Sequence, residues 1–249
     1  MMVNKFCTAC QLTTNNKLAS QSELMRIMQK GLQNASLDHA DEIGYGQRIL
    51  DQNHVFWAIV RLRVKIYGLL VANETYRIET WPNPIDSIGV DRNYRVFDKN
   101  NHCVVEGMGK WVIINKLNFE LVKPINFEPV SSVFNEMQVR VFTDGYHRLN
   151  IDKNIMPTRV NRQVTVLDID HNNHVNNVVY LQYLHDIISI SNNKNRDINE
   201  YQINYSDSLF LNESFEMEVY DYKDEINVIS RRNGTNNQKI VFQGYVLFK

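Results

Sequence analysis

The chain presents the same succession of elements twice, and this repeat constrains the fold more than any other feature of the sequence. In each half a strand-like segment precedes a helical one, and four further strand-like segments follow. The first helical segment starts at Ser20, where Glu23 stands at the spacing of a capping box, and the second runs from Asn176 to about Ile190. Alternation in YRIETW and WVIINK, and many β-branched and aromatic residues, are typical of strands. The sequence therefore predicts a duplicated α+β chain.

The second helical segment is apolar over most of its circumference, with one narrow polar edge through Gln182, His185 and Asp186. Such a helix needs cover on all sides. A curved antiparallel sheet wrapped round the helix would supply it. We therefore predict two tandem units, each a long helix wrapped by a curved antiparallel sheet. The first unit spans residues 1–125, a linker of little periodicity spans 126–155, and the second unit spans 156–249.

Charge and hydropathy exclude several classes of protein. Lys and Arg number 27 against 28 Asp and Glu, a net charge of −1, which argues against a general nucleic-acid binder. The N-terminal residues lack the apolar core of a signal peptide, and the longest apolar run, Val55–Val60, is too short for a membrane span. Three cysteines without a secretion signal indicate reduced thiols. We expect a cytoplasmic protein with no nucleic-acid or membrane partner.

The sequence lacks the usual motifs for binding a cofactor or a metal. No glycine-rich stretch completes a dinucleotide fingerprint or a phosphate loop, and no serine has glycine two residues away on both sides. Cys7 and Cys10 form a CxxC with only Cys103 to help them, which excludes a four-cysteine zinc site. The histidines and aspartates near residue 170 lack an i, i+4 histidine pair on a helix. We therefore expect no metal and no cofactor.

A polar cluster, Asp168 to Asn177, stands directly before the second helix. The start of a helix has unsatisfied N–H groups and a positive dipole end, which can polarise a carbonyl oxygen. Asp170, Asn172 and His174 alternate, so in an extended segment they would share one side and could activate a water molecule. Helix caps and turns are the simpler interpretation of so many asparagines. The matching segment of the first half has neither His nor Asp, which favours one chemical site per chain.

The stretch DIDHNNHVNNVVYL closely resembles the motif of plant-type and bacterial acyl-acyl-carrier-protein thioesterases, roughly D-L-D-x-N-x-H-V-N-N-x-x-Y. The coinciding residues are Asp168, Asp170, Asn172, His174, Val175, Asn176, Asn177 and Tyr180. Trp57 and Arg61 resemble the W-x-x-x-R of the family's first half, and IETWPNP and GKWVIINKLNFEL resemble later segments. The similarity runs from about Glu42 to Leu209.

The resemblance implies a double hot-dog fold and hydrolysis of the thioester in acyl-acyl carrier protein, which releases a fatty acid and ends chain elongation. Acyl carrier protein would be the partner. The catalytic residues would be Asp170, which orients the site, Asn172, which holds the carbonyl or a water, and His174, the base or water-orienting group. The residues assigned to substrate binding are Trp57, Asn176, Asn177, Asn204 and Tyr205.

The chain departs from the family pattern on one strand. Plant-type enzymes carry a catalytic glutamate followed by cysteine in E-Y-R-R-E-C, and here EYQINY places Asn204 and Tyr205 at those positions. Glu200 or Asp207 would have to replace that carboxylate. Two alternatives stay open: a hydratase or dehydratase acting on acyl thioesters, and a non-catalytic acyl-thioester-binding module. A homodimer is also compatible with the sequence.

Overall fold

The structure is a computed structural model that describes residues 5–16, 19–124, 139–152, 154–170, 173–191, 196–234 and 239–249. The chain divides into two compact units, Met1–Gly145 and Tyr146–Lys249. Each unit contains a long helix and a set of antiparallel strands.

The described part of the first unit contains two helices and six strands. They are β1 (Phe6–Gln11), α1 (Gln21–Glu42), α2 (Gln47–Gln52), β2 (Val55–Ile66), β3 (Thr75–Pro82), β4 (Val90–Phe97), β5 (Cys103–Asn115) and β6 (Leu121–Val122). The sheet order is β1-β3-β4-β5-β2 with all neighbours antiparallel, and the short β6 pairs with β5 at Ile113 and Ile114. Strand β4 is thus the middle strand of this order.

Helix α1 starts where the sequence predicts. Ser20 is extended and its hydroxyl accepts a hydrogen bond from the Glu23 N–H at 3.2 Å. The Glu23 carboxylate accepts instead from the Thr14 hydroxyl at 2.9 Å, so it fastens the chain before the helix. One satisfied donor at a helix start stabilises it by about 1 kcal/mol.

A close approach seats α1 on the sheet. A Cβ added at Gly31 would lie 2.6 Å from the Cys10 sulfur, so only glycine lets the helix come this near to β1. Further along α1, the Ser36 hydroxyl bonds the Tyr94 hydroxyl of β4 at 2.8 Å, and both groups are buried. Within the CxxC sequence, Cys10 therefore packs against the helix and Cys7 is exposed.

The described part of the second unit contains one helix and five strands: β7 (Thr158–Gln163), α3 (Asn177–Ile190), β8 (Ile198–Tyr205), β9 (Ser214–Asp221), β10 (Glu225–Arg232) and β11 (Ile240–Phe248). The sheet order is β8-β11-β10-β9-β7, again antiparallel throughout.

Helix α3 is buried on most of its surface, as its sequence requires. Leu184 lies over Gly244 of β11, where an added Cβ would come within 2.4 Å of a Leu184 methyl group. The Tyr180 ring meets the Phe242 ring edge-on at 5.1 Å, and the Tyr183 ring lies 5.2 Å from that of Phe215. Aromatic pairs at these distances contribute about 1 kcal/mol each beyond the burial of their area.

The predicted α+β architecture of two helix-and-sheet units is confirmed. The sequence RQVTVLDID, Arg162 to Asp170, predicts the strand before the second helix, and this prediction is wrong for most of the segment. Strand β7 ends at Gln163, and Val166–Asp168 forms one turn of 3-10 helix. Helix α2 has no counterpart in the prediction. The boundaries at 126–155 stay a prediction, and residues 125–138 lie outside the described part of the chain.

Candidate active site

The segment that leads into α3 is held by a reciprocal cap. The Thr165 N–H and hydroxyl both donate to the Asp168 carboxylate, at 2.7 and 2.8 Å, which closes the 3-10 turn. The Asp168 carbonyl then accepts from the Asn176 N–H at 2.9 Å. The polar cluster is therefore anchored at both ends, and Asp168 is a structural member of it.

The chain turns back on itself between Asp170 and His174. The Asp170 N–H donates to the His174 carbonyl at 3.0 Å, and the Asn173 N–H donates to the Asp170 carbonyl at 3.1 Å, with Asn173 at a φ of 64°. Asp170 and His174 therefore do not lie on one extended strand, so the condition under which they would share one side of it is not met. Asn172 itself lies outside the described residues.

The turn nevertheless joins two of the three predicted catalytic side chains. His174 Nδ1 lies 3.7 Å from Asp170 Oδ1, and each side chain is about one-fifth exposed. The His174 ring also meets the Phe210 ring edge-on at 6.0 Å. Backbone pairing of His174 with Phe210 and of Val175 with Ile169 fixes the imidazole beside the start of α3. A partly exposed imidazole next to a carboxylate can exchange a proton with water.

Asn176 forms the cap of α3. Its side-chain oxygen accepts from the Val178 N–H at 3.0 Å, and its carbonyl accepts from the Val179 N–H at 2.8 Å. These two N–H groups are therefore already bonded within the helix start. The Asn177 carbonyl accepts from the Tyr205 hydroxyl at 3.1 Å, which fastens the helix start to β8. The positive end of α3 remains directed toward the His174 turn.

Asn204 and Tyr205 face opposite sides of β8, because neighbouring residues of a strand alternate. Tyr205 lies on the helix side, where its ring meets that of Tyr180 edge-on at 5.3 Å. Asn204 lies on the other face, and its side-chain oxygen accepts from Gln202 Nε2 at 3.0 Å. The structure separates this predicted pair.

The two carboxylates considered as replacements for the family glutamate are both engaged. Glu200 is buried, and its carboxylate lies 2.6 Å from His147 Nε2. Asp207 pairs with Arg232 and with Lys239, each at 3.1 Å. The sequence analysis missed His147, because 53 residues separate it from Glu200 and no local pattern marks the contact.

Trp57 belongs to the first unit and lines a cavity there. Its indole N–H donates to the Tyr45 carbonyl at 3.3 Å, which fixes the ring. The cavity, counted with its part open to solvent, encloses about 360 Å³. Its lining is apolar apart from one hydroxyl and one guanidinium and consists of Ser36, Leu37, Ala40, Trp57, Val90, Arg92 and Trp111.

Across the residues that the structure describes, no three His, Cys, Asp or Glu side chains converge as metal ligands would. In the same part of the chain, no helix combines the length and apolar character that crossing a bilayer demands.

Two family models match consecutive parts of the chain. The acyl-ACP thioesterase N-terminal domain matches residues 10–127, and the acyl-ACP thioesterase C-terminal domain matches residues 152–243, where ACP is acyl carrier protein. The chain belongs to the acyl-ACP thioesterase family. The resemblance found in the sequence is thereby confirmed.

Relatives within the family are distant. The oleoyl-acyl carrier protein thioesterase of Coriandrum sativum is 22% identical over 201 residues, which are 72% of this chain and 52% of that protein. This chain thus spans about half the length of that relative. An acyl-ACP thioesterase from Bacteroides thetaiotaomicron has a TM-score of 0.80 at 18% identity, with 99% of this chain and 97% of that chain covered. The 12:0-ACP thioesterase of Umbellularia californica also has a TM-score of 0.80, at 16% identity and 98% and 97% coverage.

These acyl-ACP thioesterase structures share the fold of this chain. The Asp170–His174 turn falls inside the matched C-terminal region, and the cavity beside Trp57 falls inside the matched N-terminal region. Asn204 also lies in the C-terminal region, and its amide cannot serve as the proton acceptor that a glutamate would be.

Proposed function

We propose that the chain hydrolyses the thioester of acyl-acyl carrier protein, releasing a free fatty acid and ending chain elongation. The observation that carries this proposal is the pairing of His174 with Asp170 beside the positive end of α3. Membership of the acyl-ACP thioesterase family supports the substrate class. The acyl carrier protein is accordingly the proposed partner.

His174 is the proposed general base. Its Nδ1 faces the Asp170 carboxylate, so the proton of the neutral ring is favoured on Nδ1 and Nε2 is left to accept one. The distance of 3.7 Å exceeds a hydrogen bond, and such contacts commonly shorten when substrate binds. Nε2 takes a proton from water as the water oxygen bonds to the thioester carbon. The imidazolium then returns the proton to the departing thiolate, which leaves a carboxylic acid and a thiol.

The negative charge that develops on the carbonyl oxygen needs donors. We assign this role to the Asn172 amide, together with the positive end of α3. The N–H groups of Val178 and Val179 are bonded to Asn176 and take no part. Asn176 and Asn177 therefore contribute by forming the helix start.

Asn204 has a binding role in this proposal. Its side-chain oxygen is occupied by Gln202, so its remaining polar group is the NH₂, a donor. It can hold a water or a carbonyl oxygen but cannot take the proton. Tyr205 acts from the other face by fastening the start of α3, and Trp57 offers an apolar surface to the substrate in the first unit.

The test is thiol release from a panel of acyl-acyl carrier proteins, for the wild type and for His174→Ala and Asn172→Ala. Each variant should lower kcat by at least roughly a hundredfold, since a positioned base and an oxyanion donor each contribute about that much. His102→Ala is the matched control, because His102 lies on the exposed turn between β4 and β5 and its side chain is 77% exposed. Its kcat should equal that of the wild type.

Three results would contradict the proposal. Near-normal turnover in His174→Ala, with its circular dichroism unchanged, would remove the assigned base. A change in C=C absorbance with the thioester intact would indicate a hydratase or dehydratase instead. Tight binding of every acyl carrier substrate without any turnover would indicate a binding module.

A further inference from the structure

The loop between β8 and β9, residues 206–213, holds the segment that carries the proposed base. The Val175 N–H donates to the Leu209 carbonyl at 2.9 Å, and the backbone of His174 pairs with that of Phe210. The Phe210 ring also meets the His174 ring edge-on at 6.0 Å. The position of the imidazole therefore depends on where the 206–213 loop places Leu209 and Phe210.

One guanidinium holds both ends of the 206–213 loop. Arg232 is the last residue of β10, and its Nη2 donates to the Asp207 carboxylate at 3.1 Å and to the Ser208 carbonyl. Its Nη1 lies 3.2 Å from the Glu213 carboxylate. The side chains of Arg232, Asp207 and Glu213 are 22%, 21% and 27% exposed. Salt screens ion pairs at this depth less than it screens pairs on the open surface.

Glu213 connects the guanidinium to Phe210. One of its carboxylate oxygens, Oε1, faces Arg232, and the other, Oε2, accepts from the Phe210 N–H at 3.0 Å. The Glu213 N–H donates in turn to the Phe210 carbonyl at 3.1 Å. Arg232 is therefore connected to His174 through Glu213 and Phe210, and a displaced Glu213 carboxylate would displace Phe210 as well.

Lys239 does not duplicate this arrangement. Its ammonium lies 3.1 Å from the Asp207 carboxylate, at one end of the loop, and its side chain is 64% exposed. A lysine presents a single nitrogen, whereas a guanidinium presents two terminal nitrogens in a fixed plane. Of these two cations, only Arg232 contacts both ends of the loop.

The backbone at both ends of the loop has further bonds that do not involve Arg232. The Asp207 N–H donates to the Val241 carbonyl at 3.0 Å, and the Val164 N–H donates to the Glu213 carbonyl at 2.9 Å. A chain without the guanidinium should therefore keep the fold of the loop. It would lose the fixed separation of the Asp207 and Glu213 side chains.

We propose that Arg232 is a positioning residue for the hydrolysis. By holding Asp207 and Glu213 together, it keeps Phe210 against His174 and so keeps the imidazole beside its carboxylate partner. Arg232 contacts no reacting atom and acts through His174, so this inference rests on the proposed function. Catalytic groups tolerate little displacement, since an error of about 1 Å in position costs up to about a hundredfold in rate.

The first test is thiol release from the acyl-acyl carrier protein that the wild type hydrolyses fastest. In Arg232→Ala and in Arg232→Lys, kcat should fall at least about tenfold while KM stays within about twofold, because the base is displaced and substrate contacts are not. Millimolar guanidinium ion should raise the kcat of Arg232→Ala at least about threefold, and ammonium ion should not, because only guanidinium can contact both carboxylates.

Arg231→Ala is the matched control for this test. Arg231 is the neighbouring cation on the opposite face of β10, where it pairs with Glu218 at 3.4 Å. Its replacement removes the same charge from the same strand end and leaves the 206–213 loop clamped, so kcat should equal that of the wild type.

The second test observes the His174 ring without using turnover. The chain has seven histidines, so their ring carbon–proton signals can be resolved by NMR, and the signal lost in His174→Ala identifies His174. The Phe210 ring, edge-on to the imidazole, contributes to the chemical shift of these protons. The His174 signal should move by more than its linewidth in Arg232→Ala and should stay in place in Arg231→Ala.

Three outcomes would overturn the proposal. They are an unchanged kcat in a folded Arg232→Ala, a raised KM with an unchanged kcat, which would make Arg232 a substrate-docking residue, and a His174 signal that stays in place. Should Arg232→Ala fail to fold, Glu213→Gln takes its place in both tests, because it removes the ion pair and keeps an acceptor for the Phe210 N–H. If the wild type released no thiol, the proposed function would fail, and the NMR signal would still decide whether Arg232 positions the imidazole.

Discussion

His185 lies inside α3 with both ring nitrogens buried and without a hydrogen-bond partner in the described structure. Burial lowers the pKa of His185 from 6.5 to about 4. The folded chain therefore binds this proton less readily than the unfolded chain. The contribution of neutral His185 to the free energy of unfolding is fully present above the unfolded pKa of 6.5. It is lost as the pH falls from 6.5 toward 4. At about pH 5, the unfolded ring is mostly protonated and the folded ring mostly neutral. The expected loss is then about 2 kcal/mol relative to neutral pH.

The assay is urea unfolding of the wild type and His185→Leu at about pH 7.5 and about pH 5, followed by circular dichroism. His39, whose pKa is lowered to a similar value, adds its own loss to the wild type. His185→Leu should therefore remove about 2 kcal/mol of the pH dependence and leave the rest. It should also stabilise the chain at pH 7.5 by about 1 kcal/mol or more, because two unsatisfied nitrogens leave the core.

His102→Leu is the control for the stability at pH 7.5, since its side chain is 77% exposed and its free energy of unfolding there should equal that of the wild type. An unchanged difference between the two pH values in His185→Leu would refute the reasoning. It would mean that the folded ring protonates as readily as the unfolded one.

Two further predictions concern packing and capping in the second unit. Gly244→Ala should destabilise the chain by about 1–3 kcal/mol in urea unfolding, because the new Cβ would meet a Leu184 methyl group at 2.4 Å. An unchanged urea midpoint would show that Leu184 moves aside freely. Asn176→Ala should lower the free energy of unfolding by about 1 kcal/mol, and Asn176→Asp should lower it much less, because aspartate keeps the acceptor for the Val178 N–H. Equal losses in both variants would show that this hydrogen bond contributes nothing to stability.

Helix starts were the most predictable features of the fold. Ser20 and Asn176 each place a side-chain acceptor directly before an amphipathic or apolar run, and both cap their helices in the structure. The two helix-and-sheet units also followed from periodicity, because a mostly apolar helix must be covered. These features depend on neighbouring residues alone.

The wrong prediction for the segment before α3 also has its cause in residues close together in the sequence. Thr165 and Asp168 have the spacing of a capping box, which ends the strand and starts a 3-10 turn. The β-branched residues of VTVLDID favour a strand, but the capping box of Thr165 and Asp168 determines the backbone of this segment. Asn173 then adopts a positive φ, which asparagine tolerates better than most residues, and the chain reverses.

The site was predictable only where its members are close in sequence. Asp170 and His174 come together because one turn joins them. The contact of His147 with Glu200 joins residues that are 53 positions apart in the chain, and no periodicity of the sequence indicates it.

Two glycines let a helix approach its sheet closely, one in each unit, and they do so from opposite sides of the contact. In the first unit the missing side chain belongs to the helix, at Gly31, and in the second it belongs to the sheet, at Gly244. Exchanging α1 and α3 between the units would therefore bring two side chains together in one place and leave a void in the other. The halves share an architecture, yet their parts are not interchangeable, and chimaeras should be joined between units, never within one.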